Sequence, residues 1–303
     1  MCVHRPAAWC LRLLPVLLFF ISFVTYYCSN VFSDCSGIEV TQSQKCPFLV
    51  KNISRRTQLF LKLEDFFWRE HLSKLALPYG IKGSELLLLK VLAVTANYQV
   101  PANIENVELC PCLRLNDAPV RGYEEDVGNK TTMRFFYPES ASYNPGLHNE
   151  PGTLMVLVPF KQQDLRWLKE ILYNEKRVRK GFWKPPPQIW LADVSKIRVL
   201  DPHFLHQTAD RLLQIPLHPK SKQQPVHPTT GILAVFVALN YCDVVHIAGF
   251  GYPNSKSQRH PIHYYGYDTM KSMKNSYHDL NHEAEALKKL EDSGAILYLH
   301  PHL

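Results

Sequence analysis

The densest chemical signal in the sequence is Pro228-Thr229-Thr230-Gly231, set directly before the uncharged run 232–241. That run reads as an apolar helix, so two hydroxyls and a glycine stand at its N-terminus. Free backbone N–H groups and the positive end of the helix dipole meet there, which suits a phosphate. An ordinary capped helix start uses the same residue types. The next stretch, 244–248, reads as a strand and ends in Gly249-Phe250-Gly251-Tyr252. A small-residue turn at the carboxyl end of a strand is where ligands of open α/β sheets sit. Together the two features can converge on one anion. Beyond them come His263-Tyr264-Tyr265-Gly266, then His278 and Glu283. Five residues apart on a helix, His278 and Glu283 would fall on different faces, so they are no simple helical ion pair. A histidine in a loop past a phosphate site can serve as a base near neutral pH. His260, His263, His278 and His282 offer a rival reading as metal ligands. Their spacing fits no standard helical metal box, and no Asp-x-Asp pair is present for a nucleotide's cation, so no metal is expected.

These groups need a frame, and the pattern around them supplies one. A strand is predicted over 153–160, a helix over 162–173, a strand over 196–200, and a helix over 202–213 that opens with proline in its first turn. The helix 230–241, the strand 244–248, a helix over 281–292 and a strand over 295–299 complete the series. Such alternation predicts an α/β fold with a doubly wound, mostly parallel sheet covered on both faces. Upstream, Leu59, Leu63, Phe66 and Phe67 recur at helical spacing over 58–72, and 84–96 is a second apolar helix with Ser84 as its cap. Pro185-Pro186-Pro187 marks a rigid loop inside the domain.

With 303 residues, 46% hydrophobic and 20% charged, the chain can bury one sizeable core. Its formal net charge of +7 includes a local group at Lys176, Arg177, Arg179, Lys180 and Lys184. That surplus suits an anionic substrate or simply a solvated face. No nucleic-acid reader motif accompanies it, so nucleic acid is not expected as a partner. The N-terminus is apolar from 13 to 27, with Arg5 and Arg12 before it and Asp34 and Glu39 after it. The positive-inside bias then predicts a cytoplasmic tail 1–8, a transmembrane signal-anchor 9–28, a lumenal stem 29–57 and a catalytic domain 58–303. The competing reading, a cleaved signal peptide, lacks a small-residue cleavage box. In the lumen the sequons at Asn52 and Asn129 become usable. Of the eight cysteines, Cys35, Cys46, Cys110, Cys112 and Cys242 lie beyond the anchor, and an oxidising lumen favours their pairing.

The segment 228–253 resembles the small sialyl motif of the animal sialyltransferases. His263 to Gly266 resembles their third motif, and His278 with Glu283 the very small motif. The stretch with Arg114-Leu115-Asn116, Ala118-Pro119-Val120, Val127-Gly128 and Tyr137-Pro138-Glu139-Ser140 looks like the end of the large sialyl motif and the family sequence just downstream of it. Gly181-Phe182-Trp183-Lys184 and His263-Tyr264-Tyr265 are most similar to the beta-galactoside alpha-2,3-sialyltransferases of the lactosamine-type branch. The resemblance implies a Rossmann-like, GT-A-like fold in a type II Golgi membrane protein. It implies inverting, metal-independent transfer of sialic acid from CMP-sialic acid to the 3-hydroxyl of terminal galactose on glycoprotein or glycolipid glycans. By the same resemblance Asn116, Thr229, Thr230, Gly231, Gly251 and His263 contact the donor, His278 is the base, and Glu283 orients the loop.

One departure stands out. The family's large motif carries a strand, a glycine-rich turn, a helix and a return strand between its cysteines and Arg-x-Asn. Here Cys110-Pro111-Cys112 runs directly into Leu113-Arg114-Leu115-Asn116. About two dozen residues, most of one βαβ unit, are missing. By resemblance Cys110 would pair with Cys46 and Cys112 with Cys242, and the absent unit removes the strand that positions the second bond. Two expectations result: an active alpha-2,3-sialyltransferase whose remaining residues rebuild the donor site, or an impaired product that associates with intact homologues or is held in the endoplasmic reticulum.

Overall fold

The computed structural model describes residues 58–96, 98, 112–217, 226–242, 244–252, 260–273 and 277–299. The chain divides into a unit Met1–Gln44 and a unit Lys45–Leu303, and every described residue belongs to the second. The expected anchor 9–28, the stem, Asn52, Cys46 and Cys110 therefore lie outside the described residues. No helix among those described is long and apolar enough to cross a membrane.

The helices are α1 (Asp65–Trp68), α2 (Glu85–Thr95), α3 (Glu124–Val127), α4 (Gln162–Leu172), α5 (Pro202–Gln207), α6 (Thr230–Leu239) and α7 (Leu280–Asp292). The strands are β1 (Leu113–Leu115), β2 (Met133–Phe136), β3 (Leu154–Leu157), β4 (Ile197–Val199), β5 (Val245–Ile247) and β6 (Ile296–Tyr298). A four-stranded sheet runs β1-β2-β3-β4, parallel throughout, with Leu113 opposite Met133, Met133 opposite Leu154 and Met155 opposite Ile197. Every residue of β2 and β3 is buried, as strands covered on both faces must be. Their side chains divide by the period of two. Phe136, Met155 and Leu157 pack with Leu88 and Val91 of α2 and Leu165 and Leu168 of α4. Phe135, Leu154 and Val156 pack with Phe204 and Leu205 of α5 and Leu233, Phe236 and Val237 of α6.

A second sheet holds only β5 and β6, also parallel, with Val245 opposite Ile296. Here the expectation of one doubly wound sheet is refined: the parallel α/β arrangement is present, but in two pieces. Helix α6 packs against β1, β2 and β5, and Leu113 touches both the core beneath α6 and the cluster containing Val245 and Ile247. Among the described residues, β1 has a strand neighbour only in β2 and β5 only in β6. Parallel pairing needs a neighbour in register, and the direct join of Cys112 to Leu113 leaves no residues at that point to supply one.

Three expected helix details change. The stretch 58–72 is not one helix: Phe60 bridges Leu200 in antiparallel fashion, Leu61 N donates to Val199 O at 3.0 Å and Asp201 N to Leu59 O at 2.9 Å. Pairing with the chain around β4 satisfies backbone groups that a helix would otherwise pair. Helical structure there is confined to α1 and a 3-10 turn at Glu70–Lys74. Ser84 precedes α2 but its side chain makes no capping bond. Helix α5 is shorter than expected and widens into a π-turn at Thr208–Leu212, where the Thr208 hydroxyl donates to Phe204 O at 2.7 Å.

Candidate active site

Thr229 caps α6, its hydroxyl accepting from Ile232 N at 3.2 Å. Glu283 of α7, 1% exposed, reaches across to it. Its carboxylate accepts from Thr229 N at 2.8 Å, from the Thr229 hydroxyl at 2.6 Å and from the Tyr252 hydroxyl at 2.5 Å. Burial raises the Glu283 pKa to about 7 against those donors and drives the Tyr252 phenol well above its ordinary value. The Thr229 hydroxyl thus donates its proton to Glu283 and accepts from Ile232 N, so its place in the site is to fix the start of α6. The N–H groups of Thr230 and Gly231 sit in the first turn, where no intrahelical acceptor exists. They are the part of this terminus that can face a phosphate. The Phe250 ring lies against Gly231, 3.3 Å from where a Cβ would stand.

The glycine turn after β5 is locked to the third motif. Phe250 bridges His263, Gly251 N donates to Ile262 O at 3.1 Å, and Tyr264 N donates to Gly249 O at 2.8 Å. A Cβ on Gly249 would stand 2.4 Å from the Tyr264 ring, and its φ of +76° is a conformation glycine adopts freely. The Tyr264 hydroxyl donates to Pro119 O, which draws the turn after β1 into the same site. His263 stacks on Tyr265 at 5.5 Å. Burial lowers its pKa, while Asp268 and Asp117 act in the opposite sense.

Asn116 follows β1 directly, with φ +55°. Its N–H donates to Phe135 O at 2.7 Å, while its buried Oδ1 has no protein partner. The turn is held by Arg134, which is 4% exposed within β2. The guanidinium donates to Asn116 O and Ala118 O, each at 3.0 Å, to Asn149 Oδ1 at 2.7 Å and to His148 O at 3.1 Å. Desolvation lowers its pKa to about 10. Sequence reasoning missed Arg134. Its signal was a lone cation inside the apolar run Met133-Arg134-Phe135-Phe136. Arg114 holds the next loop, donating to the carbonyls of Val127 and Gly128.

His278 lies just before α7, which Asp279 caps by accepting from His282 N at 3.1 Å. Its Nδ1 is 2.8 Å from His227 O. A carbonyl can only accept, so Nδ1 carries the proton and Nε2 keeps its lone pair. Burial lowers the His278 pKa, which keeps the ring neutral at neutral pH. His227 packs edge-on against His278 at 4.7 Å and stacks on Phe160 at 4.8 Å. Beside it, Lys161 Nζ bonds Glu139 Oε1 at 2.6 Å and lies 3.2 Å from Asp164 Oδ1. Glu139 Oε2 is buried without a partner.

Gly231, Gly251 and His263 thus meet around the turn 249–252 through Phe250 and the 262–264 segment; the turn that carries Asn116 is tied to it by the Tyr264 hydroxyl bond to Pro119 O, and His278 is tied to His227, just before α6. No disulfide joins Cys112 to Cys242; Cys112 is an exposed free thiol. Its backbone N–H donates to the Thr132 hydroxyl at 3.2 Å. Asn129 is exposed. Among the described residues no three His, Cys, Asp or Glu side chains are grouped to hold a metal ion.

Comparison with known proteins bears on what this arrangement does. Residues 102–295 match the family model described as glycosyltransferase family 29 (sialyltransferase). The chain is 47% identical over 278 aligned positions to human CMP-N-acetylneuraminate-beta-galactosamide-alpha-2,3-sialyltransferase 4, covering 83% of this chain and 82% of that protein. It is 45% identical over 198 residues to the rat type 2 lactosamine alpha-2,3-sialyltransferase, covering 65% of this chain and 59% of that protein. A solved mammalian sialyltransferase in complex with Gal-beta-1-3GalNAc-ortho-nitrophenol is similar with a TM-score of 0.58 and 25% identity, over 83% of this chain and 92% of that one. In the human match, 278 aligned positions exceed the 83% of 303 residues, about 251, that this chain contributes. The aligned stretch thus includes residues of the relative that this chain lacks.

Proposed function

The chain belongs to glycosyltransferase family 29, the sialyltransferases, and we propose that it moves sialic acid from CMP-sialic acid to the 3-hydroxyl of a terminal galactose with inversion, His278 acting as base. The observation that carries this reading is the bond of His278 Nδ1 to His227 O, which leaves a neutral, basic Nε2 beside the N-terminus of α6. In the reaction the galactose O3 attacks the anomeric carbon as the bond from that carbon to the CMP phosphate oxygen breaks. The galactose proton passes to His278 Nε2, and the electron pair leaves with CMP. Positive charge develops on the sugar and negative charge on the departing phosphate. The N–H groups of Thr230 and Gly231, the helix dipole and a hydrogen bond from His263 offset the latter. Asn116 Oδ1, buried and unpartnered, is available to a donor group of the nucleotide. Thr229 and Glu283 position the helix terminus and do not touch the donor. The relatives' names support galactose-terminated glycans as acceptors. The wider reading adds a Golgi membrane location through the segment 9–28, and glycans at Asn52 and Asn129.

A second reading is favoured by one observation, the unpaired neighbouring edges of β1 and β5. In it the donor wall lost before Leu113 leaves turnover weak or nil, and the chain acts by associating with intact homologues. Incubating the full chain with CMP-sialic acid and N-acetyllactosamine separates the two. Turnover that disappears in His278→Ala supports the first reading; CMP release no faster than in that variant supports the second.

A further inference from the structure

The segment between β3's helix α4 and β4 is exposed yet tied down at several points. Val178 N donates to the Glu170 carboxylate of α4, and Trp167 Nε1 donates to Pro187 O at 3.0 Å. Between those ends, the Phe182 ring lies 5.0 Å from Lys161 Nζ, whose neighbour Phe160 stacks on His227 beside His278. Lys184 Nζ stands 3.8 Å from Asp117, the residue after Asn116. The strap thus has one foot on the side of the base and the next on the side of the donor turn. Gly181 sets its path with φ +89°, packed so closely that a Cβ would stand 3.0 Å from Gln163. Pro185, Pro186 and Pro187 stiffen its return toward β4.

Trp183 sits between the two feet and is 73% exposed. An indole held out in water on a rigid strap is not packing any core, and its flat apolar face remains available. The C–H face of a pyranose ring is the complementary surface, because it presents apolar hydrogens to the electron-rich ring while its hydroxyls point away. We propose that Trp183 is the acceptor-specificity residue, stacking on the sugar that precedes the terminal galactose. This rests on the galactoside-acceptor reading above. Galactose itself is then placed by the groups near His278, and Trp183 grades acceptors by their second sugar.

The test uses the full chain in detergent micelles, with N-acetyllactosamine and methyl beta-galactoside as probes and CMP as a third ligand, each titrated by saturation-transfer NMR. The wild type binds the disaccharide more tightly than the monosaccharide. Trp183→Ala weakens the disaccharide by roughly threefold to tenfold, the range set by an aromatic stacking contact, and leaves the galactoside and CMP within about twofold. Trp183→Phe recovers most of the loss. Equal wild-type affinity for the two sugars, or a Trp183→Ala effect that is absent or the same on both, overturns the proposal alone. A wild type that binds neither sugar overturns it together with the galactoside-acceptor reading.

Discussion

The Glu283 carboxylate holds Thr229 twice, accepting its backbone N–H at 2.8 Å and its hydroxyl at 2.6 Å across 54 residues of sequence. Through Thr229 it fixes the first turn of α6, and through Tyr252 it fixes the segment after the glycine turn. Truncating it removes the acceptor of three part-buried donors, of which the Thr229 and Tyr252 hydroxyls, 3.1 Å apart, can still bond each other. Glu283→Ala is expected to cost about 2 kcal/mol of stability, read as a lowered denaturant midpoint. Glu283→Gln should cost less, since its amide oxygen can still accept two of the three. If Glu283→Ala unfolds like the wild type, the carboxylate does not position the helix.

Asn116 is expected to separate ligand binding from folding. Its side chain supports nothing in the protein through Oδ1, which is buried without a partner. Asn116→Ala therefore sacrifices only the tolerance of asparagine for positive φ, about 1 kcal/mol. CMP at a hundred times its dissociation constant should raise wild-type stability by about 2.7 kcal/mol. The variant should show that shift reduced by half or more at the same concentration. A full CMP shift in Asn116→Ala would remove this residue from the donor site.

The pH dependence of stability is best read as a difference between two proteins. Glu283 releases its proton near 4.5 when unfolded and near 7 when folded. Between those values the folded state binds the extra proton, so this group's contribution falls as pH rises and is constant outside the window. His227, pulled down to about 4 by burial, works in the opposite direction over nearly the same range: its folded form is unprotonated while the unfolded form is charged. The two partly cancel in the wild type. Subtracting the profile of Glu283→Gln isolates the carboxylate, and wild type should lose roughly 3 kcal/mol relative to the variant from pH 4.5 to 7. A flat difference would place the Glu283 titration outside that window.

The elements around these residues were legible to different degrees, for local reasons. Strands β3, β4, β5 and β6 are apolar runs bounded by polar or turn residues, and the helices between them carry apolar periodicity, so their alternation reads directly. Strand β2 escaped notice because Arg134 interrupts it, and the carbonyls that make a buried guanidinium tolerable come from Asn116, Ala118 and His148. The stretch after Gln58 has helical spacing, but pairing of Phe60 with Leu200 overrides it. At the candidate site, Thr230 is legible from its place before an apolar helix and His278 from its loop beyond the glycine turn, whereas Asn116 is reached only through the family resemblance. The role of Thr229 was not legible, because its partner Glu283 is set by tertiary packing alone.

Gly249 and Gly266 form a matched pair for separating backbone strain from packing. Both have positive φ, +76° and +72°, but a Cβ on Gly249 would meet the Tyr264 ring at 2.4 Å while one on Gly266 meets nothing within 4 Å. Gly266→Ala is expected to cost about 1 kcal/mol, the left-handed penalty alone. Gly249→Ala should cost at least about 2 kcal/mol more, because Tyr264 must move and its hydroxyl bond to Pro119 O is lost. Urea midpoints of the two variants give the comparison, and equal losses would mean that Tyr264 yields freely.

The separation of β1 from β5 leads to the prediction that reaches furthest into function. Helix α6 spans strands of both sheets, so its N-terminus, with Thr230 and Gly231, is supported over a discontinuity in the sheet. Each buried N–H or C=O left without a strand partner costs about 1 to 3 kcal/mol, and a domain's whole margin is only about 5 to 15 kcal/mol. Grafting between Cys112 and Leu113 a strand-turn-helix-strand segment of the kind the family resemblance implies there should let a strand pair with both edges. The graft is expected to raise the melting temperature by at least about 5 °C and to increase sialyl transfer to N-acetyllactosamine by about a hundredfold or more, the scale associated with a missing charge-stabilising donor. It should also bring Cys112 under the control of one continuous sheet, so a bond from Cys112 to Cys242 on oxidation is a second readout. Turnover and stability both unchanged by the graft would show that the split sheet is not what limits this chain.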